Sequence, residues 1–205
     1  MTDDVVRAAY TARAEEYAGL LGSMDAVHDL DRRLISRWAA ASPGRIIDAG
    51  CGPGHWTHFL SEQGAEVEGV DLVPAFVELA QRRHPSASYR VACLDELGLV
   101  DGSVDGILAW YSLIHLEPHR VPVVLAEFAR CLGPDGSLLV GFVTGERVES
   151  FPHQVTTAYF WPVDELARRV ESAGFVIQET HTRVNPERLD RTHGAIVARR
   201  STQAT

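Results

Sequence analysis

The apolar positions of the chain follow two alternating periods. Between residues 45 and 143, short runs rich in β-branched residues, typical of buried strands, are separated by segments with apolar residues at helical spacing. The pattern predicts strands at 45–49, 66–70, 88–92, 104–110 and 137–143, and helices at 55–62, 74–83 and 122–132. Pro74 and Pro122 stand at the first turn of their helices, where proline is favoured. This alternation is typical of a parallel sheet with helices on both faces.

The two ends of the chain depart from this alternation. Helices are predicted at 4–21 and 25–41, before the first strand, and residues 144–160 are predicted to form a loop. After a helix at 162–172, strands at 175–181 and 194–199 have only a polar connection between them. A connection this short favours an antiparallel pair. The sequence therefore predicts a Rossmann-like, doubly wound α/β fold whose seven-stranded sheet is mostly parallel, with an antiparallel last strand.

The length of 205 residues predicts one domain over 1–205, in which helices within 1–41 form a partial lid and residues 42–200 form the Rossmann-like core. The net charge of −9 and the lack of clustered Lys and Arg argue against a nucleic-acid partner. No apolar stretch reaches the roughly 20 residues of a membrane span, and the N-terminus lacks the pattern of a signal peptide.

Cysteines and histidines give no metal pattern. Cys51, Cys93 and Cys131 are scattered, and Pro118 separates the histidines of "HLEPH", so that neither a disulfide framework nor a metal site is expected. We therefore expect a cytoplasmic protein, a monomer or homodimer, that binds neither metal, membrane nor nucleic acid.

A glycine-rich loop follows the first predicted strand. Gly50, Gly52 and Gly54 occupy alternate positions just before the predicted helix at 55–62. Glycines allow positive φ and the close approach of a ligand, and the helix start offers free N–H groups. Strand, glycine loop and helix together predict a site for the polar part of a nucleotide-like cofactor. A tight turn without a ligand is the alternative interpretation.

Asp71 lies at the tip of the second predicted strand. An acid at this distance from the glycine loop can accept hydrogen bonds from both hydroxyls of a ribose. The alternative is an Asp that starts the helix at Pro74.

Four sequence motifs follow one another along the chain. They resemble those of the class I S-adenosylmethionine-dependent methyltransferases, with similarity over about residues 4–200: "IIDAGCGPGHWT", "GVDLVP", "DGSVDGILAWYSLIHL" and "LAEFARCLGPDGSLLVGF". The resemblance implies S-adenosyl-L-methionine as cofactor, S-adenosyl-L-homocysteine as product and methyl transfer as the activity. Since little chain is left for a second recognition domain, we expect a small organic acceptor.

The resemblance also implies roles for individual residues. The glycine loop would pack against the methionine moiety while Asp48 helps to hold its ammonium group, Asp71 would bind the ribose, and Cys93 and Leu94 would flank the adenine. Many relatives have an acid where Cys93 stands, which leaves the adenine contact open, with Asp95 two residues further on. The full cofactor-binding set is Tyr17, Asp48, Gly50, Cys51, Gly52, Gly54, Trp56, Asp71, Leu72, Cys93, Leu94, Trp110 and Tyr111.

Aromatic residues supply candidates for the walls of the cofactor and acceptor sites. Tyr10, Arg13 and Tyr17 either fold over the cofactor, with Tyr10 predicted to line the acceptor pocket, or form a core stripe at helical spacing. Trp56 is either pocket wall or core. Further along, Tyr159, Phe160 and Trp161 are predicted to line the acceptor pocket, with packing before Pro162 as the alternative for Trp161.

A general base is needed only if the acceptor must lose a proton. His115 is the candidate, because it follows the fourth predicted strand and histidine titrates near neutral pH, with His153 as a second candidate. The alternative for His115 is a histidine bonded inside the adjoining helix.

Two other classes of function stay open. An NAD-dependent oxidoreductase shares the glycine loop and the acid of the second strand, although His55 stands where its last glycine is expected. A methyltransferase fold used as a ligand-binding or regulatory protein would carry the same cofactor motifs.

Overall fold

The structure, a computed structural model, describes residues 24–153, 157–185 and 188–201. Two 3₁₀ turns, Met24–Ala26 and Leu113–His115, accompany the regular elements. The helices are α1 (Asp29–Ala40), α2 (His55–Glu62), α3 (Pro74–Arg83), α4 (Val121–Cys131) and α5 (Val163–Ser172). The strands are β1 (Ile46–Ala49), β2 (Val67–Asp71), β3 (Ser88–Val91), β4 (Val104–Trp110), β5 (Leu132–Thr144), β6 (Glu149–Pro152), β7 (Thr157–Phe160), β8 (Phe175–Asn185) and β9 (Arg188–Arg200).

Seven strands form one sheet in the order β3-β2-β1-β4-β5-β9-β8. The neighbours from β3 to β5 pair in parallel, whereas β9 is antiparallel to both β5 and β8. This confirms the predicted Rossmann-like, mostly parallel sheet with an antiparallel last strand. The chain order reverses between β1 and β4, which is the point of such a sheet where ligands bind beyond the strand ends.

The core consists of two apolar layers, one on each face of the sheet. Successive residues of a strand point to opposite faces, so Ile107 of β4 packs with Phe128 of α4 while Leu108 packs with Trp38 of α1. All four of these side chains are buried. The layers cover the sheet and leave its carboxyl rim, where β1, β2 and β4 end, as the place for chemistry.

The prediction of a loop at 144–160 was wrong. This segment contains the antiparallel pair β6 and β7, with Ser150 opposite Tyr159 and Phe151 opposite Ala158. The ring of Phe151 stacks on that of Phe160 with 4.1 Å between centroids, and Phe151 and Ala158 are buried. Packing between these residues forms the hairpin, whereas the sequence of the segment shows no regular alternation of apolar and polar residues.

Strands β8 and β9 also extend further than predicted. Much of the polar stretch expected to be a connection is paired, with Thr182 opposite Gly194 and Arg183 opposite His193. Because β8 lies at the edge of the sheet, polar side chains are tolerated along it. The predicted helix at 4–21 lies outside the described residues, and the division into lid and core stays a prediction. None of the helices that the structure describes is long and apolar enough to cross a membrane.

Candidate active site

Two of the three loop glycines are required by packing. Gly50 and Gly54 both have φ of +84°. A Cβ on Gly50 would lie 2.3 Å from the Cβ of Ser112, and one on Gly54 would lie 2.8 Å from the Cβ of Ala80. At these two positions the tight-turn interpretation is sufficient.

Gly52 differs from both. Its φ is +53°, and no heavy atom lies within 4 Å of a Cβ built on it. Its N–H donates to Oδ2 of Asp71 over 2.8 Å, which holds the loop against the tip of β2. The loop therefore presents a side-chain-free backbone surface at Gly52, next to a carboxylate, which is the arrangement that a polar cofactor requires.

Asp71 combines structural hydrogen bonds with unused acceptor capacity. Besides the bond from Gly52, its Oδ1 accepts from the N–H of Val73 over 2.8 Å, and Val73 is the N-cap of α3. The helix-start interpretation is thus correct in part. The backbone of Leu72 also contributes a hydrogen bond that lowers the pKa of this carboxyl. An ionised carboxylate has about four acceptor positions, so capacity remains for the ribose. Burial raises the pKa of Asp71 to about 6.

Asp48 lies behind the loop at the end of β1. Its side chain is 2% exposed, and its Oδ2 accepts from the hydroxyl of Thr57 over 2.6 Å. Burial raises the pKa of this carboxyl to about 7, against the lowering effect of Thr57. Contact with a cofactor ammonium stays a prediction, and a nearby cation would stabilise the ionised form of Asp48.

The residues predicted to flank the adenine follow the neighbouring strands β2 and β3. Cys93 and Leu94 are half-buried just after β3, and Leu72, which follows β2, is half-buried as well. Asp95 forms a 2.6 Å ion pair with Arg120, at the start of α4. An adenine contact of Asp95, which the sequence left open, stays a prediction.

Cys51 contributes to the core through its side chain. The thiol is buried with Val77, Ala80 and Tyr89, and burial raises its pKa well above the usual value. Any contact of Cys51 with the cofactor would therefore involve its backbone.

The aromatic residues of the rim divide between core and cavity. Trp56 is 4% exposed and packs edge-on against Phe59 and Trp110, with 6.1 Å between the centroids of the two tryptophans. This favours the core interpretation for Trp56. Tyr111 is half-buried, has φ of +61°, and hydrogen-bonds through its hydroxyl to Nδ1 of His193. A non-glycine residue in this conformation costs of order 1–3 kcal/mol and is enriched at functional sites.

Burial also sets the protonation of Tyr111. It raises the pKa of the phenol well above its usual value, and the charge of Asp31 adds to the effect, so Tyr111 is a neutral phenol at physiological pH.

His115 connects the 3₁₀ turn after β4 to the β6–β7 hairpin. Its Nδ1 lies 3.1 Å from the carbonyl oxygen of Thr157. Because a carbonyl only accepts, Nδ1 carries the proton, and burial lowers the pKa of the ring, which keeps it neutral near pH 7. The ring of His153 lies 5.1 Å away, edge-on. A role of His115 as base stays a prediction beside this structural one.

The residues near the hairpin that were predicted to line the acceptor pocket differ in their burial and contacts. Phe160 stacks on Phe151, and Tyr159 is half-buried. Trp161 is 1% exposed in the core, and the guanidinium of Arg169 lies 4.9 Å from its ring centroid. Burial favours the packing alternative for Trp161. Tyr10, Arg13 and Tyr17 lie outside the described residues.

A cavity of about 300 Å³ opens on the same rim. It lies between the first turns of α1, the end of β4 at Trp110 and Tyr111, and the paired strands β8 and β9. Arg183 and His193 line it, and sequence reasoning missed both because they lie in the stretch expected to be a connection. The predicted topology could have indicated them. An antiparallel last strand begins at the rim where the parallel strands end, so residues near its start lie close to the site. Within the described parts of the chain, no three His, Cys, Asp or Glu side chains are grouped to hold a metal ion.

Comparisons with known proteins agree with this geometry. A family model described as a methyltransferase domain matches residues 46–136. The malonyl-[acyl-carrier protein] O-methyltransferase of Serratia marcescens is 28% identical over 132 residues, which cover 62% of this chain and 51% of that protein. A probable S-adenosylmethionine-dependent methyltransferase of Mycolicibacterium smegmatis is 30% identical over 153 residues, 72% of this chain and 58% of that one. The chain thus spans about half the length of the curated relatives it matches.

Solved structures share the fold at low identity. A Burkholderia thailandensis 1,6-didemethyltoxoflavin-N1-methyltransferase, with bound S-adenosylhomocysteine, has a TM-score of 0.75 at 22% identity, covering 97% of this chain and 88% of that one. The [4+2]-cyclase SpnF has a TM-score of 0.79 at 16% identity, with coverage of 97% and 96%.

These comparisons give the oxidoreductase alternative no support. The matching methyltransferase domain over residues 46–136, the four ordered motifs and the shared sheet topology identify a methyltransferase domain of the class I S-adenosylmethionine-dependent type.

Proposed function

We propose that this chain transfers a methyl group from S-adenosylmethionine to a small organic molecule. The observation that carries the proposal is the pairing of Gly52 with Asp71 at the β1–β4 switch point. The bond between them sets an open stretch of backbone beside a carboxylate with spare acceptor capacity. The matching methyltransferase domain and the Serratia and Mycolicibacterium relatives support methyl transfer as the reaction.

The residues present fit the cofactor. The carboxylate of Asp71 would accept from the ribose hydroxyls, the surface at Gly52 would meet the methionine moiety, and the buried carboxyl of Asp48 would favour its ammonium group. The cofactor supplies a methyl group on a positively charged sulfur, which is already activated for displacement. The protein's contribution is to align the acceptor with that methyl and to exclude water.

A small acceptor fits the room at the rim. A cavity of about 300 Å³ lies at the lower end of the range for small-molecule sites. Trp110 and Tyr111 end the strand beside the switch point and line this cavity, so they would separate the cofactor from the acceptor. A small-molecule substrate is also named for the Burkholderia neighbour.

The direct test is an assay with methyl-labelled S-adenosylmethionine and a panel of small acceptors that contain hydroxyl, amine, thiol or carboxylate groups. We expect S-adenosylhomocysteine to bind and label to appear in at least one acceptor. S-adenosylhomocysteine binding without transfer to any acceptor would instead support the ligand-binding or regulatory alternative. NAD binding without S-adenosylhomocysteine binding would contradict the proposal.

A further inference from the structure

The cavity on the rim has a charge opposite to that of the protein as a whole. The chain carries 28 acidic and 19 basic residues, not counting histidines. The cavity lining includes one acidic side chain against three arginines and two histidines: Asp31, Arg33, Arg37, Arg183, His181 and His193. Glu179, close behind, pairs with Arg37 at 2.5 Å and with His181 at 2.8 Å. Even with Glu179 counted, the arginines outnumber the acids.

Asp31 holds Arg183 in place at the cavity wall. Its Nη2 lies 2.7 Å from Oδ2 of Asp31, and both side chains are about four-fifths buried. Its Nε is buried and has no hydrogen-bond partner among the residues that the structure describes. The ion pair fixes the guanidinium at the cavity wall while leaving part of its donor capacity unused, and a guanidinium is suited to bind a second oxyanion group.

Arg33 adds a cation that is not neutralised nearby. It lies on the exposed side of α1 and lines the cavity. Among the residues that the structure describes, no carboxylate pairs with it. The rest of the wall supplies apolar surface from Leu30, Leu34 and Trp110. A molecule with an apolar body and one anionic group matches both parts of this lining.

We propose that the cavity between α1, the end of β4 and strands β8–β9 is the acceptor site, and that it selects small molecules carrying an anionic oxygen group such as a carboxylate. The inference rests on the proposed function, which left the acceptor class open. Arg183 and Arg33 bind the anionic group, and Leu30, Leu34 and Trp110 cover the apolar body. The site lies apart from the hairpin residues Tyr159 and Phe160 that the sequence suggested.

The test uses the full chain saturated with S-adenosylhomocysteine and two probes of equal shape, benzoate and the neutral benzamide. Binding is followed by NMR at the backbone amides of Thr182, Gly194 and Ala195, which line the cavity. We expect benzoate to shift these amides saturably and to bind at least about fivefold more tightly than benzamide. Equal binding of the two probes, or no shift at these amides, would overturn the inference.

Matched variants assign the effect to the cavity. Arg33→Gln should weaken benzoate about three- to tenfold and leave benzamide unchanged. The control Arg168→Gln removes the same charge from α5, where the side chain is 68% exposed and pairs with Glu165; it should leave both probes unchanged. The double variant Asp31→Asn/Arg183→Gln avoids an unpaired buried charge and should weaken benzoate about tenfold.

Benzoate affinity that is unchanged in both the Arg33 and the double variant would also contradict the inference. The proposed function has a separate readout. A chain that binds S-adenosylhomocysteine but does not prefer benzoate refutes the acceptor class alone, whereas a chain that does not bind S-adenosylhomocysteine refutes the proposed function.

Discussion

The two halves of the carboxyl rim are built in different ways. At the proposed cofactor half, two carboxylates accept hydrogen bonds from nearby groups: Asp71 from the backbone of Gly52 and Val73, and Asp48 from Thr57. All of these residues lie between positions 48 and 73. At the proposed acceptor half, the contacts are between side chains, and Asp31 and Arg183 meet across 152 positions of the chain.

This difference indicates how the two halves can change. A backbone surface with hydrogen-bonded carboxylates is suited to bind the groups of the cofactor, which are the same whatever the acceptor is. A cavity lined by side chains from α1, β4, β8 and β9 can be altered by single substitutions without disturbing that surface. We therefore expect variants of the cofactor half to affect folding and cofactor affinity, and variants of the acceptor half to leave the cofactor affinity intact.

The largest effect is expected at Gly50. Gly50→Val combines a positive φ with a Cβ 2.3 Å from Ser112, and should lower the free energy of unfolding by about 3–5 kcal/mol. Gly64→Val is the control, since Gly64 has φ of +86° and no heavy atom within 4 Å of a Cβ. That control should lose only about 1–2 kcal/mol in urea unfolding. Equal losses would mean that the approach of the loop to Ser112 is not needed.

Asp71 comes next. Asp71→Ala removes the proposed ribose acceptor, and should weaken S-adenosylhomocysteine binding by roughly 30- to 1000-fold, or about 2–4 kcal/mol. Because Asp71 also bonds to Gly52 and Val73, the melting temperature of the free protein should fall as well. Asp71→Asn should be milder on both counts, since its amide oxygen still accepts. Calorimetric affinity within about twofold of the parent would remove Asp71 from ribose binding.

The pH dependence of cofactor affinity gives a smaller effect. Asp71, with its pKa raised to about 6, is mostly protonated at pH 5 and accepts less well. S-adenosylhomocysteine affinity should therefore rise about tenfold between pH 5 and pH 8. The rise should be weaker in Asp71→Asn. A parent affinity that is flat across this range would contradict an ionised acceptor at this position.

The stability of the free protein should change in the opposite sense. The pKa of Asp48 is about 7 in the folded chain and near 3.8 when unfolded. Between those values the unfolded chain holds fewer protons, so the free energy of unfolding falls as the pH rises. This fall should be smaller in Asp48→Asn.

The smallest effect tests the acceptor half. Tyr111→Phe keeps the ring and removes the hydroxyl that bonds to His193. We expect a loss of about 1 kcal/mol in unfolding free energy, with S-adenosylhomocysteine affinity unchanged within about twofold. A loss of cofactor affinity similar to that of Asp71→Ala would show that the two halves are not separable.

The same contrast explains what the sequence could predict. The strands and helices up to residue 143, the mostly parallel sheet and the glycine loop depend on local periodicity and on topological rules, and the structure confirms the predicted fold. The hairpin at β6–β7 was missed because the contact of Phe151 with Phe160 forms only in the folded chain. The same holds for the roles of Arg183 and His193, which depend on Asp31 and Tyr111 far away in sequence.

One titration decides whether the surface at Gly52 binds S-adenosylmethionine. S-adenosylhomocysteine is titrated into the parent, Gly52→Ala and Gly64→Ala, two glycines that both have positive φ and open surroundings. We expect binding to the parent at about micromolar Kd, retained within about twofold in Gly64→Ala and weakened at least about tenfold in Gly52→Ala, with similar stability losses in the two variants. Equal affinity of the two variants, or a parent that binds NAD and not S-adenosylhomocysteine, would contradict binding at Gly52.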